Sequence, residues 1–217
     1  MIATLAALTW TRVRRGRSLW IGGVIAALPV IYAVIAGSRG IDPRTSQLFT
    51  IEELLLAVLP ALFVSASIGE DIEDKTAAYL WSRPLPRWSI VAGKLVAVVP
   101  IAIGFQLASQ IAAVAIGGGR FADPSSLVAL AAGVIAVSFV ATGISMLVPK
   151  YGMALTLCYV LSDIVIGELP ASLREISITY QARQIASGEI ASPLVAMAVI
   201  GGVALAIALW RLRKLEA

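Results

Sequence analysis

Histidine is absent from the 217 residues, and cysteine occurs once. The first absence removes the commonest metal ligand and the commonest general base, which excludes a Ser–His intramembrane protease. The lone Cys158 cannot form an intrachain disulfide and, inside an apolar stretch, reads as a small buried hydrophobe. Charge is scarce as well: 14% of the residues are charged, against about 25% in ordinary globular domains. A phosphate-binding Gly-x-x-x-x-Gly-Lys-Ser/Thr loop is also missing, since Ala92-Gly93-Lys94-Leu95 lacks both the first glycine and the hydroxyl residue. Any chemistry driven by a nucleotide would need another polypeptide.

What fills the chain instead is apolar surface. Hydrophobic residues make up 59% of it, and the mean hydropathy is +0.91. A water-soluble domain of this size would leave large apolar patches exposed, whereas hydrocarbon solvates them. A spanning helix needs about 20 mostly apolar residues to cross a core about 30 Å thick. Six stretches qualify, near 19–36, 51–68, 95–116, 127–148, 151–169 and 190–210. The first exceeds the usual apolar core of a signal peptide and has no convincing cleavage site after it, so a retained span is expected. The second is the weakest, because Glu52 and Glu53 occupy its outer end. The runs are continuous and not alternating, which predicts an all-α integral membrane protein with one transmembrane domain over 1–217 and not a β-barrel. Pro29, Pro60 and Pro100 fall inside spans and predict kinks. Small residues recur four apart at Gly22/Ala26, Gly23/Ala27 and Ala198/Gly202/Ala206, where helices can approach closely.

Basic residues set the orientation. With the amino terminus inside, the cytoplasmic side holds Arg12, Arg14, Arg15, Arg17, Lys75, Arg83, Arg87, Lys94, Lys150, Arg211, Arg213 and Lys214. The outside keeps Arg39, Arg44, Arg120, Arg174 and Arg183. That bias predicts both termini in the cytoplasm. The net charge of +4 then reflects topology and anionic lipid, not nucleic acid.

Three segments lie outside the spans. Residues 1–17 place Ile2, Leu5 and Val13 on one helical face beside an arginine cluster, which predicts an interfacial helix; a frayed tail is the alternative. The internal loop, 69–88 and on to Lys94, opens with Glu70, Asp71, Glu73 and Asp74, as suits a helix amino terminus, and Arg83-Pro84 stops that helix. Ile72, Thr76, Tyr79 and Leu80 share one face, a small apolar and aromatic surface suited to a protein partner. The outer segment 170–191 is too polar to span and predicts short re-entrant or interfacial helices that either cap an exit route or close the bundle.

Asp163 reads as the one carboxylate well within a span, a placement that costs about 2.5–3.5 kcal/mol on insertion scales. It either lines a substrate path with Gln106 and Gln110, binds a proton or cation, or pairs with Ser162 or a neighbouring backbone. An ion-coupled secondary transporter or small channel would use Asp163 and Glu168 as its transport site.

The loop is the specific feature. Its acidic cluster, Lys75-Thr76, Leu80, Ser82-Arg83-Pro84-Leu85-Pro86-Arg87 and Ala92-Gly93-Lys94 resemble the permease subunits of type-2 ATP-binding-cassette exporters, with Lys75 where glycine is more usual. The resemblance implies a coupling helix around 70–81 that docks on a separate cytoplasmic ATPase. It implies Glu70, Glu73, Thr76, Tyr79, Leu80, Arg83 and Arg87 as coupling residues. It further implies export by alternating access, two permeases (two copies, or one with a related chain) joined to two ATPases, and ATP and magnesium bound in the partner and not here. A multi-pass protein of a bacterial or archaeal cell membrane fits that family. A non-transporting assembly subunit is the remaining alternative.

Overall fold

The computed structural model describes residues 2–39, 45–68, 87–118, 122–169 and 172–214. They are helical, with no strand among them. In chain order the helices are α1 (Ile2–Arg15), α2 (Arg17–Ala26), α3 (Leu28–Ser38), α4 (Thr45–Pro60), α5 (Arg87–Gly118), α6 (Pro124–Leu147), α7 (Gly152–Gly167), α8 (Ile178–Ala186) and α9 (Ala191–Lys214). Six stretches are long and apolar enough to cross a membrane: Arg17–Ser38, Gln47–Ile68, Trp88–Gly117, Pro124–Leu147, Pro149–Gly167 and Ala191–Leu212. They are spans 1 to 6 below, and each coincides with a run legible in the sequence.

Spans 2 and 4 form the interior, whereas spans 1, 5 and 6 turn most of their surface outward. That surface is apolar, with Trp20, Val24, Ile31, Leu161, Val165, Val195 and Val199 exposed, as lipid or a partner helix requires. The interior packs Leu56, Leu59, Val64, Leu130, Val134 and Val137. Glycine allows the closest approaches. A Cβ on Gly22 would run into the Phe63 ring, and one on Gly143 would stand 2.9 Å from the carbonyl oxygen of Ala204. The Phe63 and Phe105 rings stack at 5.8 Å, joining spans 2 and 3.

The prolines act differently from one another. Span 1 breaks between α2 and α3 at Ala27, one residue before Leu28-Pro29 opens the next helix. Pro60 ends α4 at a fully buried π-helical turn, Ala61–Ser65, a feature that an inserted residue in the hydrogen-bond ladder produces. Pro100 lies in an unbroken α5. Cys158 is exposed and not buried: it faces away from the bundle on span 5, where a thiol is as compatible with lipid as with a core.

Spans alternate in direction, so an even number returns the chain to the end it left. The terminal end of the bundle holds the connections between spans 2 and 3 and between spans 4 and 5; the far end holds the other three. At the terminal end α1 is a formed helix that packs on α5 and buries Val13. Leu8 and Trp10 remain exposed on it, giving the apolar contact that an interfacial helix needs.

Candidate functional site

Polar groups cluster at three levels of this apolar bundle, beginning at the terminal end. Glu70, Glu73, Thr76, Tyr79, Leu80 and Arg83 lie outside the described residues, as do the side chains of Arg87 and the rest of the loop over 69–86. Arg87 opens α5. The base of the loop is described, and it is tied: the largely buried Lys94 of α5 donates from Nζ to the carbonyl of Ser67, at the end of span 2. Two residues earlier in span 2, the hydroxyls of Ser65 and Thr156 are 3.0 Å apart. The end of span 2, the start of span 3 and the first half of span 5 are therefore linked by polar bonds. In a nonpolar medium such bonds have no water to exchange with, which favours their joint movement.

The far end is organised around α8. Asp163, near the end of span 5 and 4% exposed, accepts from the backbone N–H of Ile178 at 3.0 Å and of Thr179 at 2.9 Å. It also accepts from the hydroxyls of Ser177 at 3.1 Å and Thr179 at 2.9 Å. Ser177 is itself the amino-terminal cap of α8, accepting from Tyr180 N. The carboxylate thus meets the unsatisfied N–H groups and positive dipole end of a helix. Of the pairings open from sequence, the neighbouring backbone is the one formed; Ser162 donates to the carbonyl of Cys158 instead.

The other end of α8 is held by charge. Arg183 donates from Nε and Nη2 to the two carboxylate oxygens of Glu53 at 2.6 and 2.7 Å, a bidentate pair. Its Nη1 also bonds Glu168, just past α7. Glu53, followed by Glu168, pushes the guanidinium pKa upward. Ser125 of α6 adds a bond to the carbonyl of Ala186 at 3.2 Å. This short helix is consequently fastened to spans 2, 4 and 5, with its Ile178, Ala182 and Ile185 buried against them.

The third group lies between spans 2 and 3. Span 2 begins at Gln47, so Glu52 and Glu53 both sit inside it and Asp163 is not the only carboxylate within a span. Glu52 is fully buried. Its two carboxylate oxygens accept from Ser109 Oγ and Gln106 Nε2, each at 2.7 Å, and its carbonyl accepts from the same amide at 2.9 Å. Gln106 and Gln110 are wholly enclosed within this one bundle. Gln106 Oε1 and both polar atoms of the Gln110 amide have no hydrogen-bond partner. Among the described residues no group of three or more acidic, cysteine or histidine side chains is placed to hold a metal.

Sequence reading singled out Asp163 and passed over Glu52, Glu53 and Arg183. The available signal was two adjacent acids in an apolar run, which lipid tolerates only when partners are supplied. Residues 9–166 of the chain match the family model described as ABC-2 family transporter protein. No curated protein sequence matches the chain.

Proposed function

Because this chain belongs to the ABC-2 transporter family, as a membrane-spanning permease subunit, we propose that it works as an exporter driven by a separate cytoplasmic ATPase. In this reading the terminal end of the bundle faces the cytoplasm, as the distribution of basic residues indicates. The loop over 69–88 docks on the ATPase through Tyr79 and Leu80, with Glu70, Glu73, Thr76, Arg83 and Arg87 around that contact. ATP and magnesium bind in the partner, and two permeases with two ATPases make the working assembly in a bacterial or archaeal cell membrane.

The observation that carries the reading is the family match across spans 1 to 5, including the loop with its Ser82-Arg83-Pro84 segment. The geometry supports it at the base of the loop. A push on the loop reaches spans 2, 3 and 5 together through Lys94, Ser67, Ser65 and Thr156. Alternating access then needs only that nucleotide binding favour one arrangement of these linked spans over another. In that cycle Asp163 acts by holding the far-end helix, while Gln106 and Gln110 supply polar groups inside the bundle.

The test is co-isolation with an ATPase and transport that stops when ATP hydrolysis is blocked. Transport by the chain alone would support the ion-coupled reading, and ATPase binding without any transport would support an assembly subunit. The residues that the ion-coupled reading would use are both partnered, Asp163 with α8 and Glu168 with Arg183.

A further inference from the structure

Glu52 and Glu53 are neighbours, both buried, yet their charges are handled in opposite ways. Glu53 turns to α8 and meets Arg183. Glu52 turns to α5 and meets only the neutral Gln106 and Ser109. Among the described residues no cation faces it from the surrounding elements: α6 and α3 contain no charged residue, and α5 contributes only Arg87 and Lys94, the latter tied at the opposite end of the bundle. From α7 comes Asp163, itself acidic and engaged with α8. A buried carboxylate without a positive partner is costly, and Arg183 neutralises only one of the two.

Three further buried polar atoms, all on α5, are left without a partner. Both N–H bonds of the Gln106 amide are used on Glu52, which fixes its orientation and leaves Oε1 unpartnered on the same amide group, next to the carboxylate. Gln110 follows four residues later on the same face of α5, with its Oε1 and Nε2 also unpartnered and wholly buried. Carboxylate, amide carbonyls and a serine hydroxyl form a set of hard oxygen donors carrying one uncompensated negative charge. We propose that Glu52, Gln106, Ser109 and Gln110 form a buried site for one monovalent cation, a proton or an alkali ion. A divalent ion would exceed the charge of the site and lacks the several carboxylates it usually draws on. Ser109 can reverse its hydrogen bond when the carboxyl is the donor, so the site accommodates either cation without breaking its link to α5.

The proposal is tested on the full chain in lipid nanodiscs, without nucleotide, partner or cargo, so its outcome is independent of the transport reading. Thermal unfolding is followed in sodium, potassium and choline chloride at equal ionic strength, and the infrared carbonyl band of a protonated carboxylic acid is recorded in choline. An alkali ion at the site raises the melting temperature in a saturable way in sodium or potassium relative to choline. A proton at the site leaves the salts equivalent and gives the carboxylic acid band. Whichever signature the wild type shows is lost in Glu52→Gln, kept in the control Glu175→Gln at an exposed position, and altered in Ser109→Ala. Gln110→Leu, which leaves Glu52 in place, weakens the alkali response or shifts the band. Salts that act alike together with no band that Glu52→Gln removes would overturn the proposal.

Discussion

Asp163 shows how a costly residue becomes tolerable. Four donors from residues 177–179 surround its carboxylate; removing it strands the buried N–H groups of Ile178 and Thr179 at the start of α8, whereas the two hydroxyls keep the Asp163 carbonyl as an acceptor. Stranded buried donors cost about 1–3 kcal/mol each before relaxation. Asp163→Ala should therefore destabilise the chain by on the order of 3 kcal/mol, with Asp163→Asn between it and wild type, as measured by denaturant unfolding in detergent. An unchanged midpoint would show that the carboxylate is not what anchors α8. Arg183 is a different case, because its removal leaves Glu53 charged and buried. Breaking a buried pair typically costs about 3–5 kcal/mol, and partial exposure of Arg183, at 32%, lowers the expectation toward the bottom of that range. Arg183→Gln should be worse than the double variant Glu53→Gln/Arg183→Gln, in which no charge is stranded. If the double variant is the less stable of the two, the pair contributes more than mutual neutralisation.

At the level of elements, α6 and α9 meet where Gly143 lies against the backbone of Ala204, so the neighbour cannot rotate aside as a side chain would. Gly143→Ala should separate these helices and destabilise by about 1–3 kcal/mol, whereas Gly202→Ala, with open space around it, should be near neutral. A matched pair of unfolding curves decides this. The positions of the spans were legible because a hydrocarbon core imposes a length of apolar helix that few other contexts require. Span edges were less so. Span 2 starts earlier than its apolar run because Glu52 and Glu53 are satisfied by Gln106, Ser109 and Arg183, partners 54 to 130 residues away in sequence. Hydropathy counts such acids as ends of a span, since it cannot see what faces them. Pro60 gave a reason to expect distortion, but not its form as a π turn; the exposed Cys158 escaped because span 5 turns out to lie at the periphery.

For the whole molecule, the far end is fastened through α8 and the terminal end through the base of the loop, leaving spans 1, 5 and 6 with broad apolar faces. Such a body is suited to moving as a unit against lipid or, in the proposed assembly, against a second permease. Its loop carries the resemblance by which the family was legible, while the residues that fasten its far end come together only in the fold. In the proposed cycle that loop is where another protein's ATP hydrolysis enters. The direct measurement is the amount of ATPase that co-isolates from native membranes with the wild-type chain and with Tyr79→Asp, both quantified against the chain itself and checked for equal melting temperature. An ATPase should be recovered in equal amount with the wild-type chain and be lost, by tenfold or more, with an otherwise stable variant. Equal recovery with both, or no ATPase with either, would contradict that role of the loop.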